Sequence, residues 1–132
     1  MKRTLRRVLP VLLLAGLSAS LQAQRGEWLM LGDAHVDGAA DHDKIKVGKD
    51  KGLFRSIQLR VEGAAIDFDR VVVHYGNGSA VPIEIRFHIP AGGVTRAIEL
   101  PGERRFIDSV EIWYMRGSFR DVKPRVTLLG MH

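Results

Sequence analysis

Residues 65–76 read AIDFDRVVVHYG. Ile66 and Phe68 share one parity, and Val71, Val73 and Tyr75 share the other. Successive side chains of a strand point to opposite faces. One apolar face can therefore run through this stretch only if the chain takes up an extra residue on the way. A β-bulge near Asp69 and Arg70 does this, since it adds one residue and flips the faces.

The same period of two extends outward on both sides. In FRSIQLRVEG, residues 54–63, Ile57, Leu59 and Val61 alternate with polar positions. In VPIEIRFHI, residues 81–89, Val81, Ile83, Ile85, Phe87 and Ile89 alternate with Pro82, Glu84, Arg86 and His88. One oily and one wet face per strand points to antiparallel sheets covered on one side. EWLMLG (27–32), KIKVG (44–48, Ile45 and Val47 inward), VTRAIEL (94–100), FIDSVEIWYM (106–115) and PRVTLLG (124–130) fit the same plan. Gly76-Asn77-Gly78 reads as a tight hairpin, and Lys51-Gly52, Gly92-Gly93 and Pro101-Gly102 mark further turns. No segment has a helical face. About eight short strands at this spacing predict an all-β, antiparallel sandwich or jelly roll.

The first 23 residues read as an address. Lys2, Arg3, Arg6 and Arg7 precede a short apolar run, Val8–Leu17, and then SASLQAQ with a cut expected after Ala23. This is the layout of a secretory signal peptide. The apolar run is about half of the ~20 residues that a membrane span needs. Export to the periplasm or beyond is expected, by the general or the twin-arginine route, with no membrane span in the mature form. Residues 24–132 then make one domain with one core.

Removing the leader changes the electrostatics. The chain carries 20 Lys+Arg and 15 Asp+Glu, net +5, but the leader holds four of the basic residues and no acidic ones. What remains is 16 against 15, net +1. A broad basic surface for nucleic acid is absent from such a balance. The chain has no cysteine. Thiol nucleophiles, thiolate metal sites and disulfides are excluded, although small exported domains often use disulfides.

Residues 33–44 read DAHVDGAADHDK and hold Asp33, His35, Asp37, Asp41, His42 and Asp43. Their spacing approaches a calcium loop, but His35 occupies the third position and Lys44 the twelfth, where a bidentate Glu is required. The EF-hand reading fails. A looser oxygen site would use Asp37, Asp41 and Asp43 for a divalent cation. The alternative is a solvated turn, its four acidic residues followed by six basic and one acidic in 44–60. No other cofactor is implied.

His74 and His88 each fall on the polar face of a strand, and nothing in their spacing forces them together. Ser56, Ser79, Ser109 and Ser118 lack the G-x-S-x-G elbow of a hydrolase. Trp113 has the opposite parity to Val110, Ile112 and Tyr114, so it either stands on the outer face beside Glu111 or covers the far side of the sheet under a loop. An outward Trp can stack on a sugar or anchor a partner. Trp28, in WLML, is expected to be buried. Arg96, Arg104 and Arg105 gather near a turn, with Glu99 and Glu103 among them.

The order of DHDKIKVG, GLFRSIQLRVEG, VVHYGNG, IPAGGVTRAIELPG, IDSVEIWY and VTLLG resembles short exported bacterial β proteins of unknown function, of the YaaI-like kind. The resemblance implies an all-β periplasmic domain and supplies no catalytic residue. Its one polar element is D-x-D-x-I-x-V-G, Asp41 to Gly48.

Three functions follow as expectations. The first is a non-catalytic binding or accessory module of the envelope with a protein or glycan partner, contacted through Trp113. The second is a cation-binding domain using Asp37, Asp41 and Asp43. The third is a small hydrolase with no residue assigned. Exposed strand edges allow a monomer or a dimer.

Overall fold

The computed structural model describes residues 27–36, 42–83, 87–115 and 122–132. The expected leader, Asp37 and Asp41 lie outside them. The described residues form ten strands in two antiparallel sheets, a β-sandwich. They contain no helix long and apolar enough to cross a membrane.

In chain order the strands are β1 Leu29–His35, β2 His42–Lys46, β3 Leu53–Phe54, β4 Ser56–Glu62, β5 Ile66–Tyr75, β6 Ala80–Ile83, β7 Phe87–Ile89, β8 Ile98–Glu99, β9 Arg105–Tyr114 and β10 Arg125–Met131. One sheet runs β1-β10-β4-β8. The other runs β2-β9-β5-β6, with β3 also paired to β9 and β7 to β5. Two details differ from the sequence reading. The apolar run 81–89 contributes two strands, β6 and β7, that pair with successive parts of β5. The pair Leu53–Phe54 adds a strand too short for alternation to reveal.

β5 shows why the sheets close over one core. Ile66, Phe68, Val71, Val73 and Tyr75 are all buried, although their parity changes. The register against β9 shifts between Phe68 and Arg70, where the extra residue enters. The expected bulge is present at the expected place. A second shift lies between His74 and Tyr75, where Ser109 and Ile107 of β9 are the partners. Asp108 is the extra residue there. It lets Ile107 face inward with Val110, Ile112 and Tyr114, and it turns Phe106 out to 41% exposure.

β10 is central to its sheet, paired with β1 on one side and β4 on the other. Val126 to Gly130 are buried throughout. Gly130 is a strand residue with a packing role rather than a turn. A Cβ there would fall 2.6 Å from Leu31 Cδ1 and 2.8 Å from Phe54 Cδ1. The missing side chain leaves room for the Phe54 ring, which is fully buried. The free side of β4 is closed by residues 92–100. Val61 N–H donates to Gly93 O, Thr95 N–H to Leu59 O, and Leu100 N–H to Arg55 O.

Fully burying a Phe or Ile side chain contributes about 1.5–3 kcal/mol, and a domain's whole stability is about 5–15 kcal/mol. Deleting Asp69 would turn Ile66 and Phe68 to solvent. We expect that deletion to unfold the protein or lower its urea-unfolding free energy by roughly 3 kcal/mol or more. Asp69→Asn keeps the residue count and is expected to cost far less. Equal losses from the two variants would show that the side chain, and not the bulge, matters.

Candidate functional site

The outer face of the six-stranded sheet carries the polar and aromatic residues singled out by the sequence. Three of them stand in one row because register puts them there. His42 on β2 lies opposite Trp113 on β9, and Trp113 lies opposite Arg70 on β5. The His42 ring stacks on the indole, with centroids 5.4 Å apart and planes 15° apart. The Arg70 guanidinium carbon lies 4.2 Å from the indole centre. Strand order β2-β9-β5 brings these neighbours to Trp113 from its two flanking strands. A cation over an indole contributes about 0.5–1 kcal/mol when exposed. Trp113 is half-buried.

The adjacent rows extend this surface. Lys44, Glu111, Val72 and Pro82 lie across four strands in register. His74 Nε2 donates to Glu111 Oε1 at 2.7 Å. At one end of β5, His88 Nδ1 donates to Asp67 Oδ1 at 2.6 Å. His74 and His88 thus each have a carboxylate of their own, and the fold does not bring the two together.

Asp43, one of the three expected metal ligands, lies on β2. It pairs with Ile112, an inward position, and its Oδ2 accepts the Tyr114 hydroxyl at 2.7 Å. Asp33 lies on the other sheet, where Arg125 Nε donates to its Oδ2 at 2.7 Å. Asp37 and Asp41 lie outside the described residues. Among the described residues no group of three or more His, Asp or Glu is placed to hold a metal ion. Trp28 is half-buried rather than buried, because β1 begins only at Leu29.

One further aromatic was not singled out by the sequence. Tyr75 is 2% exposed, and its hydroxyl has no partner among the described residues. Burial pushes its pKa upward from 10.0, and the Arg105 guanidinium over the ring opposes that shift. Its inward parity was legible, but the covering Arg105 depends on the β9 bulge.

Residues 8–130 match the family described as Domain of unknown function (DUF2541). The chain belongs to this family. The match agrees with the expected domain of unknown function and does not carry the YaaI-like name. No curated protein matches the chain. Among solved structures, AlgX of Pseudomonas aeruginosa is similar at 12% identity and a TM-score of 0.52, over 82% of this chain and 27% of that one. The chain thus spans about a quarter of AlgX, and the likeness shows the fold alone. A mutant of CBM29-2, a family 29 carbohydrate-binding module, aligns at 12% identity over 80% of each chain. Its TM-score is 0.38, too low to bear on function.

Removing a buried group's hydrogen-bond partner costs about 1–3 kcal/mol. Asp43→Ala is expected to lower stability by about that much in urea, equally in chelator and in calcium. A loss seen only with calcium present would return Asp43 to a metal site.

Proposed function

We infer that the protein is a non-catalytic binding module of the cell envelope that docks a protein partner on the outer face of its six-stranded sheet. The observation that carries this reading is the His42–Trp113–Arg70 row. A Trp held by neighbours from both flanking strands is fixed in place before a partner arrives, so little side-chain freedom is lost on binding. Trp and Arg are also the side chains most often found at the energetic centre of protein interfaces.

The arrangement favours a protein over a stacked sugar. A sugar ring needs an open indole face, and here Arg70 and His42 both pack against the indole. The surrounding charge gives the partner a sign. Lys44, Lys46 and Arg70 lie on this surface, while Glu111 is engaged by His74. A partner presenting carboxylates around an apolar group would complement it. The expected leader supports placing the module in the envelope.

Truncating a central Trp costs about 2–4 kcal/mol of binding, roughly 30-fold or more in affinity. Affinity capture from envelope extract with the wild type and with Trp113→Ala should therefore differ in at least one abundant protein, with circular dichroism confirming that both are folded. An identical set of captured proteins would remove this face from consideration. Capture of polysaccharide that survives the substitution of Arg70 or His42 but not of Trp113 would favour a glycan instead.

A further inference from the structure

Trp113 stands near one end of β9, and a cleft opens at the other. The cleft encloses about 210 Å³ and is lined in part by Leu53, Tyr75, Gly76, Arg104, Arg105 and Phe106. Two arginines line it, and among the described residues no Asp or Glu does. A larger cleft of about 710 Å³ adjoins it and shares Leu53 and Arg104, but there Glu99 and Glu103 offset Arg55 and Arg104. Arg104 lines both clefts, and the described lining of the smaller one adds Arg105 and neither glutamate.

Its two arginines are held differently. The Arg105 guanidinium carbon sits 4.2 Å from the centre of the Tyr75 ring, and its Nη2 donates to Ser79 Oγ at 3.4 Å. Arg104 is exposed and engages no side chain among the described residues. A guanidinium is a planar fork of donors that matches the two oxygens of a carboxylate. Two such forks in one small cleft repel each other, and an anion between them relieves that repulsion.

The rest of the lining is apolar. Leu53 and Phe106 lie directly opposite each other on β3 and β9, at 39% and 41% exposure. The Asp108 bulge is what turns Phe106 outward, so the sheet itself builds this wall. We propose that the cleft binds a carboxylate carried on an apolar or planar body. Arg104 and Arg105 hold the carboxylate, and Leu53 and Phe106 receive the body. This site is separate from the Trp113 face. Arg105 and Trp113 are eight positions apart on β9, roughly 25 Å at strand rise.

The test is a titration of the ¹⁵N-labelled protein with benzoate, followed by amide chemical shifts. Inorganic phosphate and sodium chloride at matched ionic strength run in parallel. Benzoate should give saturable shifts at Leu53, Gly76, Arg105 and Phe106 and leave the amides around Trp113 unmoved. Arg104→Gln, at an exposed position, should keep the fold and weaken benzoate at least tenfold. Phe106→Ala should weaken benzoate but not acetate. Absence of saturable shifts with benzoate, or unchanged binding by Arg104→Gln, would overturn the proposal. Tighter saturation by phosphate than by benzoate would overturn the carboxylate assignment.

Discussion

The extra residue at Asp69 is the constraint on which the rest of this structure depends. β5 is ten residues long and touches β9 on one side and β6 and β7 on the other. Without the bulge, either its first half or its second half would turn apolar side chains to water. With it, Ile66 and Phe68 join Val71, Val73 and Tyr75 in one core. The Asp108 bulge does the complementary work on β9, bringing Ile107 under Tyr75. Both bulges also aim side chains outward: Arg70 to the indole of Trp113, and Phe106 to the basic cleft. The features that close the core are thus the ones that shape the surface.

A small domain without cysteine must hold itself by burial and backbone pairing alone. β10 shows how this is done. It pairs on both sides, and five consecutive residues, Val126 to Gly130, are buried. Gly130 contributes by absence, since its lack of a side chain lets Phe54 fill the core beside Leu31. The free edge of β4, a place where another chain could add a strand, is occupied by residues 92–100. Polar groups at the core boundary are satisfied locally, as with Tyr114 and Asp43. The Tyr75 hydroxyl is a departure from that pattern.

Much of the candidate site was legible as direction, and little as contact. Parity alone put Trp113, Glu111 and His74 outside and Tyr114 inside. It said nothing of the covering of Trp113, because His42 and Arg70 come from strands far away in the chain. The described part of the acidic stretch shows the same limit. Asp33 and Asp43 are ten positions apart in sequence, yet one meets Arg125 on the first sheet and the other Tyr114 on the second. Nearness along the chain is no guide where the chain crosses between sheets. Arg104 and Arg105 were visible as a basic pair, but their neighbours Glu99 and Glu103 suggested a mixed surface. Only the fold separates the two acids into the larger cleft.

What the sequence determined by itself was the local part of the structure: strands of period two, the bulge forced by AIDFDRVVV, the Gly76–Gly78 hairpin, and the facing of each alternating side chain. These follow from the pleat and from the conformational freedom of a few turn residues, which act over a handful of positions. The tertiary structure alone decided strand order and register. It set β2 and β5 against β9, brought His42 and Arg70 to Trp113, and placed Leu53 against Phe106. Such pairings join residues far apart in sequence. Their choice depends on how all the apolar faces pack together in one core, a condition that no single stretch of the chain carries.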